Sequence, residues 1–510
     1  MERLDTPVQA SQWLHARVGG ALHTDSRKVR AGDGFIAWPG AASDGRRFVQ
    51  GALDAGAAAC LVEQGGVQAF GFTDPRVASY PALKAATGLI ANAYYEHPSR
   101  ALDVIAVTGT NGKTSTAWWV AQALNFLHYR APSNTTSPLN NDLPPRYSSG
   151  LIGTLGTGTP GHMVFNGLTT PDPVLLHAEF AQMRSDGARA CAIEASSIGL
   201  AEQRLAGTAI RVAMFTNLTQ DHLDYHGSMP AYWQAKLALF DWPGVQAAVV
   251  NLDDPQGEQL AQHCAARSMQ VWTVSLVRTD ARLWAQSIEY TDAGMRFTVC
   301  EGAQQAALEC PMVGDYNVSN LLGVVAALRS LDIELPAACQ AVSRCTAVPG
   351  RMECATLPGA PIVAVDYAHT PDALEKVLAA LRPMAQARGG QLWCVFGCGG
   401  DRDAGKRPLM AQAAERGANK VVVTSDNPRS EAPESIIAQI VAGLAAPARA
   451  QVQSDRALAI ADTVQQAKVQ DVIVIAGKGH EDYQDIAGTK HAFSDLAHAR
   501  LALQRRAERN

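Results

Sequence analysis

Thr108-Gly109-Thr110-Asn111-Gly112-Lys113-Thr114-Ser115 follows a β-rich run at 104–107. Glycines let backbone N–H groups close around phosphate oxygens, and a helix starting near Thr116 adds the positive end of its dipole. Lys113 can reach terminal phosphates and the Thr114 hydroxyl can ligate magnesium. Residues 109–115 therefore form a candidate ATP or GTP site. Val107 stands where the common G-x-x-x-x-G-K-[ST] spacing needs a glycine, so the loop is a compact variant.

Magnesium on a triphosphate wants further oxygen or imidazole ligands from neighbouring strand ends. Glu194 directly follows the run 190–193, and Asp221-His222-Leu223-Asp224-Tyr225-His226-Gly227 follows the run 212–215. Thr114, Glu194 and His222 are the candidate set. Glu194 also reads as a helix cap, and His226 as structural. Lys236, in Tyr232-Trp233-Gln234-Ala235-Lys236-Leu237, reads on spacing alone as a solvated charge on an outer helix face. Asp253, Asp254 and the stretch 314–320 around Asn317 suit adenine or ribose, and equally suit turns and caps.

The last third clusters charge in four glycine-rich or polar loops: 366–369, 399–403, 425–429 and 477–481. The guanidiniums of Arg402 and Arg429 suit a carboxylate and Glu481 suits an ammonium, so a small zwitterion fits. Asp426-Asn427 before Pro428 also makes an ordinary Asx turn.

These residues need a scaffold. Runs at 104–107, 190–193, 212–215 and 247–250 alternate with helical stretches, and the pattern restarts after Pro349 with 362–365, 392–396, 421–423 and 472–475. Leu374, Val377, Leu378 and Leu381 fall on one helical face. Parallel α/β sheets result, with ligands gathering beyond the carboxyl ends of their strands. The first 99 residues carry weaker strand signal. The expectation is three α/β domains: 1–99, a P-loop ATPase-type sheet at 100–347, and a Rossmann-like unit at 348–510. Residues 131–150, rich in Ser, Pro and Asn, read as a mobile loop.

The chain has 510 residues, enough for about three domains. Lys plus Arg number 43 against 48 Asp plus Glu, so no basic field favours a nucleic-acid polymer or an anionic membrane. No stretch approaches the ~18 apolar residues of a membrane span, and the first residues do not read as an export signal, so a cytoplasmic protein is expected. Ten scattered cysteines suggest buried, reduced thiols.

Together the 109–114 loop, Glu194-Ala195-Ser196-Ser197, the 221–227 turn, Gly350-Arg351-Met352-Glu353 and the segment 366–372 resemble the Mur ligases. Asp426-Asn427-Pro428-Arg429 is similar to the signature of the family's diaminopimelate-adding members. The resemblance implies ATP-dependent ligation of meso-diaminopimelate to the D-glutamate γ-carboxylate of UDP-N-acetylmuramoyl-L-alanyl-D-glutamate, through an acyl phosphate, by a monomer. It implies that Ser26 and the segment Ala41, Ala42, Ser43 contact the uridine nucleotide. Thr169, Thr170, Ser196, Glu202 and Arg204 would hold the muramoyl-dipeptide. Asn317, Arg351 and Asp366 would join the ATP site. Arg402, Asp426, Asn427, Pro428, Arg429, Gly477 and Glu481 would bind diaminopimelate. Lys236 falls on the family's carbamylated lysine (N6-carboxylysine), whose CO2-derived carbamate would ligate a second Mg2+. Lys113, Glu194, His222 and Lys236 would be catalytic, and a closing motion would assemble the site. Ile198 stands where the family has histidine, and Glu202 where glutamine is common. The alternatives are a lysine-adding or folylpolyglutamate synthetase-like ligase, which would share the phosphate loop, and a non-catalytic nucleotide switch.

Overall fold

The structure, a computed structural model, describes residues 1–40, 43–129, 147–291 and 294–508. Of the expected 131–150 loop, residues 131–146 lie outside the described ones, while Ser149 and Gly150 open a strand, Ser149–Gly153.

Three sheets carry the fold. Near the N-terminus a five-stranded parallel sheet runs in the order Glu2–Arg3, Val77–Tyr80, Ala59–Glu63, Gly34–Ala37, Leu22–His23. Its strands are short, and two have only two residues, which is why their alternation is faint in the sequence. The helix Leu83–Tyr94 packs against Pro173–Ser185 of the following region.

The second sheet places Asp103–Thr108 between Ala190–Glu194 and Val212–Phe215, all parallel, and continues through Ala247–Asn251 to Gln270–Ser275. Val104, Ile193, Phe215 and Val250 are buried in one core. Strands covered on both faces read as unbroken apolar runs, which is how all four expected strands were visible. The strands that end at Thr108, Glu194 and Phe215 are neighbours, so their outgoing loops meet at one sheet edge.

The third sheet orders Glu353–Ala355, Ile362–Asp366, Val472–Ala476, Leu392–Phe396, Lys420–Val423 and Gln451–Val452, parallel except for the first. The helix Pro371–Ala387 lays Leu374, Val377, Leu378 and Leu381 into its core. Thr370 starts that helix by accepting the Ala373 N–H.

The described residues divide into two compact units. One comprises Met1–Gln286, Val299–Ala306 and Ser319–Arg344, and the other Ser287–Thr298, Ala307–Val318 and Cys345–Asn510.

Candidate active site

In the first unit the phosphate loop is built from its backbone outward. Gly109 has φ 146° and Gly112 φ 83°, conformations that side-chain-bearing residues rarely adopt. A Cβ on Gly109 would stand 1.9 Å from Thr216 Oγ1. The loop is clamped by the end of the adjacent strand. Thr110 N–H donates to Asn217 O (2.8 Å), Asn111 N–H to Asn217 Oδ1 (2.9 Å), and Thr216 Oγ1 donates to Asn111 O (2.6 Å). The helix begins at Lys113, not near Thr116: left-handed Gly112 turns the chain directly into Lys113–Phe126.

Lys113 Nζ donates to Gly109 O (2.9 Å) and Thr110 O (2.8 Å), curling over the cradle where a phosphate would sit. Glu194 is buried at the end of its strand. Its Oε2 accepts from Thr114 Oγ1 (2.9 Å) and Thr154 Oγ1 (3.2 Å), and its Oε1 from Thr154 N–H (2.7 Å). Gly153 leaves room for it, since a Cβ there would lie 2.2 Å from Oε1. Ser115 is buried behind the loop.

Lys236 overturns the outer-face expectation. It is 1% exposed, its ammonium donates to Gly109 O (2.6 Å) and it lies 4.2 Å from the Tyr232 ring centre. Tyr232 OH in turn meets Thr110 Oγ1 (3.1 Å), so the helix Met229–Leu237 is docked on the loop. Burial, and then the charge of Lys113, lower the Lys236 ammonium to about 6. His222 takes a different position. It adopts φ 50°, is exposed, and its Nε2 lies 3.5 Å from Asp221 Oδ2. Among the described residues no group of three His, Cys, Asp or Glu side chains gathers to hold a metal. Thr114 and Glu194 are brought together; His222 is not joined to them by any described contact. His226 Nε2 meets Ser197 Oγ (3.0 Å).

Next to Glu194, Thr170 Oγ1 donates to the Glu194 carbonyl (2.7 Å) and meets Ser196 Oγ (3.0 Å), while Arg204 donates to Thr170 O (2.9 Å). Thr169 Oγ1 meets Thr154 Oγ1 (3.1 Å). Thr169, Thr170, Ser196 and Arg204 thus form one polar patch. Glu202 pairs with Lys84 and accepts from Tyr225 OH (2.5 Å); the bonds to Lys84 and Tyr225 hold its carboxyl below the usual range. Ser26 opens the short turn Ser26–Lys28, capped by Asp25, and Ser43 is exposed. Ala41 and Ala42 lie outside the described residues.

The second unit holds the other cluster. Asp366 is buried and accepts Met352 N–H and Ala368 N–H (both 2.8 Å); burial raises its carboxyl. Arg351 lies over the Tyr367 ring, 4.7 Å from its centre. Asn317 Nδ2 donates to Val313 O (2.8 Å), just before the helix Asp315–Arg329. Burial lowers His480 to about 4, so its ring is neutral at pH 7.

Asn427 Nδ2 donates to Glu481 Oε2 (2.7 Å), and Lys478 Nζ bridges Asn427 Oδ1 (2.8 Å) and Glu481 Oε2 (3.2 Å). Asp426 Oδ1 is 3.8 Å from the same ammonium, and Gly477 leaves space for the Asp426 carboxylate, 2.4 Å from where a Cβ would be. Beyond Pro428, Arg429 adopts φ 52° and donates from Nη1 to Gly400 O (2.6 Å). A Cβ on Gly399 would lie 2.9 Å from Arg429 Nη1 and 3.8 Å from Arg402 Cγ, so both arginines pass one point. The exposed Arg402, half-buried Arg429 and the Asn427–Glu481 pair therefore share one sheet edge.

Thr154, Tyr232 and Lys478 were missed by the sequence reading. Only Lys478, between two glycines in a quoted loop, carried a local signal.

Against known families, residues 21–102 match the Mur ligase family, catalytic domain; residues 107–328 the Mur ligase middle domain; and residues 350–479 the Mur ligase, glutamate ligase domain. The chain is 56% identical over 506 residues to the UDP-N-acetylmuramoyl-L-alanyl-D-glutamate--2,6-diaminopimelate ligase of Acidovorax sp. (strain JS42), covering 99% of each. It is 45% identical to the Pseudomonas aeruginosa protein of that name, covering 94% of each. A solved structure of a ligase with that name aligns with TM-score 0.66 at 35% identity, over 96% of this chain and 95% of that one. A MurF structure from Acinetobacter baumannii, at 16% identity, covers 98% of each chain with TM-score 0.63 and shares the fold.

Proposed function

The chain belongs to the Mur ligase family, and on that premise we propose that it joins meso-diaminopimelate to the D-glutamate γ-carboxylate of UDP-N-acetylmuramoyl-L-alanyl-D-glutamate, with ATP going to ADP and phosphate. The observation that carries this reading is the 56% identity over 99% of the chain to a 2,6-diaminopimelate ligase. Peptidoglycan precursor synthesis follows as its setting, and a cytoplasmic monomer as its form. No described helix is long and apolar enough to cross a membrane.

The γ-carboxylate oxygen attacks the ATP γ-phosphorus and ADP leaves, giving an acyl phosphate. The neutral amine of diaminopimelate attacks the acyl carbon, loses its proton, and phosphate departs with the C–O bond. Residues 109–115 cradle the phosphates, and Lys113 turns from the loop carbonyls toward the developing charge, a positioning and electrostatic role. Thr114 and Glu194, hard oxygen donors already in contact, would hold Mg2+, with His222 as a further ligand once brought to them and Lys236, as its carbamate, on a second Mg2+. Lewis-acid neutralisation of the phosphate oxygens is the chemistry that Mg2+ would supply when bound there.

Lys236, with its ammonium lowered to about 6, is a neutral amine at pH 7.5, the form that adds to CO2 with loss of one proton to give a carbamate. Asn317, Arg351 and Asp366 serve ATP. Ser26, Ser43 and the outlying Ala41 and Ala42 serve the uridine nucleotide. Thr169, Thr170, Ser196, Glu202 and Arg204 serve the dipeptide. Arg402 and Arg429 take the far carboxylate of diaminopimelate, with Asp426, Asn427, Pro428, Gly477 and Glu481 around its ammonium group. The domain borders proposed are 1–99, 100–347 and 348–510.

The test is ADP release and tripeptide mass with UDP-muramoyl-dipeptide and ATP, comparing meso-diaminopimelate, lysine and no amino acid. Release only with diaminopimelate is expected; equal release with lysine, or none with either, would overturn the reading.

A further inference from the structure

The arginines given to the far carboxylate stand on two separate loops, 399–403 and 427–431. Two N–H···O bonds directed at one carboxylate demand a fixed spacing between donors, and a shift of about 1 Å in such a site is costly. Something must therefore set the distance between these loops.

Arg407, at the start of the helix Lys406–Gly417, has a side chain only 1% exposed. Its guanidinium grips Glu431 in a fork, Nη1 to Oε2 (2.9 Å) and Nη2 to Oε1 (2.7 Å), and donates also to Gly399 O (3.2 Å) and Gln439 Oε1 (2.8 Å). Glu431 Oε1 accepts in addition the Asp401 N–H (2.7 Å). One buried cation and one carboxylate thus hold the backbone immediately before Arg402 and the turn two residues after Arg429. Further stitches run beside them: Gly400 N–H to Asn427 O (2.9 Å) and Ser430 Oγ to Asp401 Oδ1 (2.6 Å). Asp401 and Arg429 both sit in the left-handed region, at φ 53° and 52°, a conformation that Asp tolerates but that is uncommon for Arg. The bond to Arg407, followed by that from Asp401 N–H, depresses the Glu431 carboxyl to about 2, which keeps the fork ionised across the working pH range.

We infer that Arg407 and Glu431 are positioning residues that fix the spacing of Arg402 and Arg429, and so set the preference for diaminopimelate over lysine. The inference rests on the reading of the site under Proposed function. Neither residue touches the amino acid; both act through the loops they join.

Steady-state ADP release is measured for wild type, Arg407→Met and Glu431→Gln, varying each substrate in turn. The expected result is a rise of at least tenfold in KM for meso-diaminopimelate and a fall of at least tenfold in the diaminopimelate-to-lysine ratio of kcat/KM. KM for ATP and for UDP-muramoyl-dipeptide should stay within twofold. Folded variants with wild-type selectivity, or a uniform loss across all three substrates, would overturn the inference. If Arg407→Met does not accumulate as folded protein, Glu431→Gln, at a side chain 31% exposed, decides by the same criteria. Wild type without diaminopimelate-dependent release overturns the functional reading, and this role with it; wild-type release with unmoved variants overturns the role alone.

Discussion

A lysine buried beside a second lysine cannot keep its proton cheaply, and Lys236 sits in that position below the phosphate loop. Desolvation first, and Lys113 second, bring its ammonium from 10.5 to about 6. Between those values the unfolded chain holds a proton that the folded one has released, so folding stability rises with pH from about 6 to 10.5, by up to about 1.4 kcal/mol per pH unit. Below pH 6 both states are charged and the burial cost is fully present. Lys236→Met, in CO2-free buffer, should therefore unfold at a higher denaturant midpoint than wild type at pH 6.5, with the gap shrinking by pH 9.5. A gap independent of pH would show that the ammonium is not the group responsible. None of this is legible from the spacing of residues 232–237. The burial depends on a carbonyl 127 positions earlier, whereas the loop chemistry of Lys113 and Thr114 is local and was read directly.

Strands and helices were legible where burial is two-sided or a stripe is continuous, as in Asp103–Thr108 or the apolar face of Pro371–Ala387. The helix after the phosphate loop was expected three residues late. Thr114, Ser115 and Thr116 look like loop residues, yet all three are buried in its first turn. What starts that helix is a glycine pair whose backbone angles the sequence only hints at. Gly109 is the stricter of the two, because its Cβ space is occupied by Thr216 Oγ1, the hydroxyl that fastens Asn111 O. Gly109→Ala should push the loop off the strand end at a local cost of roughly 1–3 kcal/mol. The sheet, held by its buried core, should remain. Calorimetric titration with a non-hydrolysable ATP analogue should show affinity weakened at least tenfold, with an unchanged far-ultraviolet circular dichroism spectrum. Wild-type affinity would mean that the loop tolerates the methyl and that its geometry is not what binds the phosphates.

At the scale of the whole chain, the near balance of 43 Lys plus Arg against 48 Asp plus Glu gives no net basic charge, and the restart of strand signal after Pro349 separated the last sheet from the second. The same signal could not reveal that the partition into two units crosses the strands Leu283–Thr291, Gly294–Glu301 and Gln304–Cys310 and the helix Asp315–Arg329, because each is locally an ordinary strand or helix. The cysteines give a global handle on both units. All ten are free; nine are buried and Cys354 is half-buried. Burial raises the thiols of Cys60, Cys264, Cys339, Cys354 and Cys398 to about 12, so the reactive thiolate is scarce at pH 8 even where a reagent can enter. Native protein treated with a chromogenic disulfide at pH 8 should release at most one equivalent of dye promptly. Ten should appear in denaturant without any reductant, since no pair is bridged. The slow release from native protein should then follow the rate at which each core opens, because a buried thiol reacts only through opening. Rapid titration of several thiols in the native state would contradict the burial of these side chains, and fewer than ten in denaturant would contradict their being unbridged.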